Sequence, residues 1–200
     1  MKKLLIIFVG LSVVVFGQCL SSPISTRVGI KLGFNPGSYD PGNGGDSFSG
    51  TGMHFGFGMG TDFVSLISID MVPQFRTTNY SRDELLGTRT YSYKNLYFPI
   101  LVSLKGGMIP LVSPYLGLGI GINIQFEGID RFEFNNGTAV EDKIEGSSTS
   151  GFLILGIGAE IKLTKLRISP EFTANLQPKD SDTSPQTTDY HISVGVFYSP

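Results

Sequence analysis

His54 and His191 are the two histidines of the chain, and they occupy comparable places: one just after the first long polar stretch, the other just after the last. With Asp40, Asp46 and Asp189 in those stretches, the residue types of a metal site or of a Ser/His/Asp lipid hydrolase or acyltransferase are present. No ligand spacing and no nucleophile motif accompanies them, so the favoured reading is two histidines hydrogen-bonded in a polar rim. No catalytic residue, metal ligand or cofactor is expected.

A second set consists of charges: Arg27, Lys31, Asp70, Arg76, Glu160, Lys162, Arg167 and Glu171. A tight turn at Leu163 to Lys165 brings Lys162 opposite Arg167, with Glu160 and Glu171 on the same face. Charges in a low-dielectric interior are costly unless paired, so these groups are read as one satisfied network filling a narrow lumen; an ion path is the alternative. A third set lies between Glu127 and Ser148, where Ile129, Phe132 and Phe134, with the preceding Phe126, make a long stretch more apolar than solvation requires. It reads equally as a binding edge or as a stiff hairpin. Gly117, Gly119 and Gly121 are no phosphate loop, because no helix follows them.

The elements that must position these groups are strands of period two. From Pro114 to Phe126, Leu116, Leu118, Ile120, Ile122 and Ile124 alternate with Gly117, Gly119, Gly121, Asn123 and Gln125. Seven more segments repeat the pattern, with apolar parities Val28 to Phe34, Met53 to Met59, Ile67 to Phe75, Leu96 to Leu104, Leu153 to Ile161, Leu166 to Ala174 and Ile192 to Tyr198. No charge falls on any of these apolar parities, whereas Arg27, Lys31, Asp70, Arg76, Lys105, Glu160, Lys162, Arg167 and Glu171 all fall on the other. A lipid-facing Lys or Arg at mid-bilayer costs roughly 2–4 kcal/mol, and this segregation is what a membrane barrel requires.

Residues 1–17 (MKKLLIIFVGLSVVVFG) read as a secretory signal peptide, a positive start followed by an apolar run too short to span a bilayer. The mature domain, 18–200, then carries a formal charge of −4, since Lys2 and Lys3 leave a chain of net charge −2. No basic patch points to nucleic acid. Cys19, the single cysteine, excludes an internal disulfide, and its lipidation stays open, although Phe16-Gly17-Gln18 is a poor lipoprotein signal. The connections alternate long and short: 35–50, 77–92, 127–148 and 177–189 are long, 61–64, 106–113 and 163–165 short. That is the loop pattern of outer-membrane barrels, with the long loops outside the cell.

A soluble eight-stranded barrel also alternates polar and apolar residues. Repeated glycines on the polar parity, such as Gly29, Gly33, Gly56, Gly58 and Gly60, suit the crowded inside of a narrow barrel and turn the polar face inward. Trp is absent, which leaves an interfacial girdle to Phe and to Tyr80, Tyr91, Tyr93, Tyr97, Tyr115, Tyr190 and Tyr198.

Ile69-Asp70-Met71-Val72-Pro73-Gln74-Phe75, then Asn95-Leu96-Tyr97-Phe98-Pro99-Ile100-Leu101-Val102, then Val112-Ser113-Pro114-Tyr115-Leu116-Gly117-Leu118-Gly119, in this order and spacing, resemble the PorT-like small outer-membrane β-barrel proteins of Bacteroidetes-type bacteria. The resemblance implies location and architecture and no single activity. The expectation is an all-β, eight-stranded antiparallel up-and-down transmembrane barrel in a bacterial outer membrane. It would be non-enzymatic, with a structural, adhesion or secretion-accessory role through its external loops; a small passive pore and a lipid-modifying enzyme are the alternatives. Its partners would be outer-membrane lipids, the barrel-assembly machinery and an extracellular or secretion-system protein.

Overall fold

The computed structural model describes residues 24–42, 46–63, 66–106, 111–178 and 186–200. The signal segment and Cys19 lie outside them. The described chain forms β1 (Ile24–Phe34), β2 (Gly37–Asp40), β3 (Phe48–Phe63), β4 (Ile67–Met71), β5 (Gln74–Glu84), β6 (Gly87–Lys105), β7 (Val112–Phe134), β8 (Ala139–Lys143), β9 (Ser148–Leu163), β10 (Leu166–Leu176) and β11 (Gln186–Tyr198).

Two strands are divided by proline without loss of register. Val28 opposes Met59 and Tyr39 opposes Phe48, so β2 continues β1 across Asn35 and Pro36. Met59 opposes Met71 and Gly56 opposes Gln74, so β4 continues into β5 across Val72 and Pro73. Proline removes one ladder donor and leaves the pairing on either side intact. The wall is therefore eight strands, and β1 pairs with both β3 and β11, which closes it. Closure leaves no unpaired strand edge, the condition for crossing a bilayer.

A walk across paired residues runs Val28, Met59, Met71, Ile100, Ile120, Leu153, Leu176, Thr188 and Ser38, ten residues farther along the strand it left. With ordinary strand rise and spacing, this stagger tilts the strands by about 40° and gives a backbone cylinder roughly 16 Å across. Side chains from opposite walls then meet in the middle.

The polarity is that of a barrel immersed in hydrocarbon. Leu118 is 66% exposed, Phe57 65% and Leu116 64%, whereas Arg76 and Glu160 are each 1% exposed inside the barrel. A water-soluble barrel has the reverse arrangement; this outer surface is one continuous apolar patch far larger than soluble monomers expose. The chain is an up-and-down transmembrane β-barrel.

The inward glycines make room for their neighbours' side chains: charged ones at Gly60, where a Cβ would stand 2.7 Å from the Arg27 guanidinium, and aromatic or aliphatic ones at Gly117, Gly121 and Gly158. A Cβ at Gly121 would stand 2.5 Å from the Tyr97 hydroxyl, one at Gly158 2.5 Å from that of Tyr115, and one at Gly117 2.9 Å from Leu101. The expected tyrosine girdle is correspondingly corrected. Tyr80, Tyr97 and Tyr115 are buried in the lumen, and Tyr91 and Tyr93 turn inward above it; Tyr190 and Tyr198 do face outward. The period-two parity decides this: Tyr97 shares a face with Asn95 and Ser103.

Two of the expected long loops, 77–92 and 127–148, are largely strand. Residues 77–92 form a hairpin turning at Leu85 and Leu86, and β7 runs on to Phe134 before β8 folds back on it. At Asn95 and Lys94 the β6–β7 register shifts by a bulge, where the wall gives way to this projecting blade. Arg89 binds Asp130 through two hydrogen bonds of 3.0 and 2.5 Å, and Lys94 binds Glu127 at 2.8 Å.

Leu118→Arg places a charge at the middle of the apolar band. Urea titration of the protein refolded into lipid vesicles should show a loss of about 2–4 kcal/mol, whereas Glu133→Arg, on the blade, should change stability little.

Candidate functional site

The inward face of the barrel divides into two polar layers with an apolar layer between them. At the short-turn end, Arg27 donates to Asp62 at 2.5 Å and to both carboxylate oxygens of Asp70 at 2.7 and 2.8 Å, and lies 3.0 Å from Glu160. Lys105 donates to Asp62 at 2.7 Å and to Glu160 at 2.8 Å. Arg167 donates to Asp62, to Glu160 at 3.1 Å, and to the Ser25 and Ser199 hydroxyls at 2.8 and 3.1 Å. Asp62 thus accepts from three cations contributed by β1, β6 and β10. Above them, Lys31 pairs with Glu171, which also accepts from the Tyr115 hydroxyl at 2.8 Å.

The next layer is apolar: Tyr97, Leu101, Phe152 and Ile154 form a buried cluster across the lumen. Tyr97 meets Phe152 edge to face with centroids 6.2 Å apart. The second polar layer is built on Arg76, which donates to Asp189 at 2.7 Å and lies 4.7 Å over the Tyr97 ring. Asp189 also accepts from the Tyr80 hydroxyl at 2.6 Å.

His54 and His191 do come together, with ring centroids 4.9 Å apart, and both are buried. The expected hydrogen-bonded rim pair is corrected: His191 shares a 2.7 Å hydrogen bond with Asn175, which accepts from the Tyr97 hydroxyl at 2.9 Å, whereas neither ring nitrogen of His54, buried opposite Arg76, has a partner among the described residues. The nearby acids are engaged elsewhere. Asp189 holds Arg76, and the Asp40 carboxylate accepts from the Gly42 amide at 2.8 Å. Among the described residues no three His, Cys, Asp or Glu side chains are grouped as a metal would need.

Of the sequence-derived lumen set, Arg27, Asp70, Glu160 and Arg167 join in the first polar layer, with Lys31 and Glu171 beside it; Arg76, His54 and His191 form the second. Arg76 does not meet Asp70, although both lie on one chain segment. Lys162 opposes Arg167 in register but reaches Glu160 at only 3.7 Å, with a third of its side chain exposed at the rim. Lys105, on the inward parity of β6 as expected, joins the first layer. Two members lie outside the sequence-derived strands: β3 runs through the expected turn to Phe63, where Asp62 keeps the inward parity of Gly58 and Gly60, and β11 starts early enough to include Asp189.

The paired lumen charges balance: Arg27, Lys31, Arg76, Lys105 and Arg167 against Asp62, Asp70, Glu160, Glu171 and Asp189. Two interior cavities beside Lys31 measure about 30 and 20 Å³, each the size of a single water.

No protein-family model matches the chain, and no curated protein matches it. The PorT-like resemblance therefore rests on the residues quoted for it. Among solved structures the chain is similar to Neisserial surface protein A, at 13% identity and a TM-score of 0.49, over 88% of this chain and 97% of that one. It is also similar to Ail, the attachment invasion locus protein of Yersinia pestis, at 13% identity and a TM-score of 0.39, over 86% and 98%. A third is the outer membrane protein OprG from Pseudomonas aeruginosa, at 16% identity and a TM-score of 0.40, over 88% and 93%. The eight-stranded closure itself rests on the strand pairing above.

Removing one partner of a buried charge cluster leaves the others unneutralised. Asp62→Asn should lower stability by about 3–5 kcal/mol, read from the unfolding midpoint in vesicles, whereas Glu141→Gln on the exposed β8 should have almost no effect.

Proposed function

We propose that the chain is an integral protein of a bacterial outer membrane, non-enzymatic and non-conducting, which acts through the hairpins it presents outside the cell. The short turns would then face the periplasm and the blade of β5, β6, β7 and β8 the exterior. The role is adhesion, scaffolding or assistance to secretion, with an extracellular or secretion-system protein as partner and outer-membrane lipids around the wall. Folding would pass through the barrel-assembly machinery.

The observation that carries this reading is the filled lumen. Five cations and five anions neutralise one another across the barrel, and a cluster of Tyr97, Leu101, Phe152 and Ile154 crosses it between the polar layers. An ion entering would have to break pairs that no water can replace. The strands that extend beyond the apolar band are all at the opposite end from the short turns, which is where material is committed to contact.

Planar-bilayer recordings of the refolded protein should show no stable openings; uniform single-size channels would overturn the filled lumen and support a passive pore. On intact cells, a membrane-impermeant maleimide should label Asn136→Cys at the tip of the β7–β8 hairpin in a Cys19→Ser background. Labelling only after cell disruption would reverse the orientation.

A further inference from the structure

Above the apolar layer, at the long-hairpin end, the barrel opens into a cup of about 530 Å³, within the range of small-molecule sites. Phe152 and Asp189 lie at its floor. Tyr39, Tyr80 and Tyr93 line one side, with Tyr39 and Tyr80 centroids 5.9 Å apart and Tyr80 and Tyr93 6.2 Å apart. The other sides carry the amides of Asn95, Asn123, Gln125 and Gln177 and the hydroxyls of Ser148 and Ser150.

Two of these amides lack a partner. Asn95 is 6% exposed, and its Oδ1, like that of Asn123, is buried and accepts no hydrogen bond from any described residue. A buried amide oxygen left unpaired is unfavourable, and turning the amide into the cup would bring it to a donor there.

The lining also states which donor. Among the described residues no Lys, Arg or His contributes to the cup, which disfavours an anion. Asp189 is already bound by Arg76 and Tyr80, and Glu145 is exposed at the rim, so no concentrated negative charge remains for a cation. Burial holds the Tyr39 and Tyr93 hydroxyls above the usual phenol range, so both stay neutral. Among the described lining residues amides and hydroxyls outnumber aliphatic side chains, which disfavours an acyl chain. The barrel strands beneath the cup are paired on both sides, so an extended peptide finds no ladder to join there.

We propose that this cup binds a neutral, hydroxyl-rich ligand of the saccharide class, with a tyrosine ring against the sugar's C–H face and the amides hydrogen-bonded to its hydroxyls. The proposal rests on the outward orientation given above and names the chemistry the exposed end would recognise.

Saturation-transfer NMR on the full-length protein in lipid nanodiscs tests it, with glucose, N-acetylglucosamine and maltose as probes and triserine as the peptide control. At least one saccharide should receive transfer at its ring C–H protons, and that signal should fall at least fivefold in Tyr93→Ala and in Gln125→Ala. Both variants are checked for the heat-modifiable gel shift of a folded barrel; Gln125→Ala carries the test if Tyr93→Ala misfolds. Transfer to no saccharide, equal transfer in wild type and Gln125→Ala, or preferential transfer to triserine would overturn the proposal. Conductance and surface labelling need no ligand, so failure here is distinguishable from failure of the membrane reading.

Discussion

One carboxylate, Asp62, accepts from Arg27, Lys105 and Arg167 at the foot of the barrel, and the structure turns on interactions of that kind. The three cations come from strands far apart in sequence and on different sides of the wall. Their convergence holds opposite walls together in a molecule most of whose apolar side chains face outward, leaving a thin buried layer around Tyr97, Leu101, Phe152 and Ile154 in place of a full core. The buried ion pairs take the place that hydrophobic packing has in a soluble barrel, and their equal numbers of positive and negative groups make that substitution electrostatically tolerable.

The wall must also remain closed over its whole circumference, because an unpaired backbone group in hydrocarbon costs several kcal/mol. Pro36 and Pro73 interrupt the first and third wall strands, yet the residues on either side keep one register. Around Pro36 the gap is bridged by backbone bonds: Asn35 and Gly52 exchange hydrogen bonds of 3.0 and 3.1 Å, and the Tyr190 amide donates to the Pro36 carbonyl at 2.8 Å. Inside, glycines on one strand admit the tyrosine and leucine side chains of its neighbours, which is how so narrow a cylinder holds Tyr97, Tyr115 and Leu101 at once.

The wall was legible in the sequence because period-two alternation and charge segregation are local properties. Eight segments became eight wall strands, with apolar residues outward, including the less regular strand around Leu96 to Leu104. The ends of strands were not legible. Thr77 to Ser92 and Glu127 to Phe134 are polar enough to read as loops but pair with each other as a blade, a decision made by cross-strand partners such as Arg89 and Asp130 rather than by local composition. Asp62 and Asp189 escape for the same reason, since β3 runs on past the expected boundary to Phe63 and β11 begins ahead of it at Gln186. Tyrosine placement failed differently: residue type suggested the membrane interface, whereas parity sends Tyr97 and Tyr115 inward. The cup at the long-hairpin end was invisible to sequence because it joins residues of β2, β5, β6, β7, β9 and β11.

The central claim is the inverted polarity of the wall, hydrocarbon outside and charge inside. It is tested most directly by nitroxide labels on Leu118→Cys and Glu133→Cys in a Cys19→Ser background, reconstituted in lipid vesicles. The label at position 118 should collide readily with oxygen and hardly at all with a water-soluble nickel chelate, and the label at 133 should show the opposite preference. A label at 118 freely accessible to the nickel chelate would contradict the account.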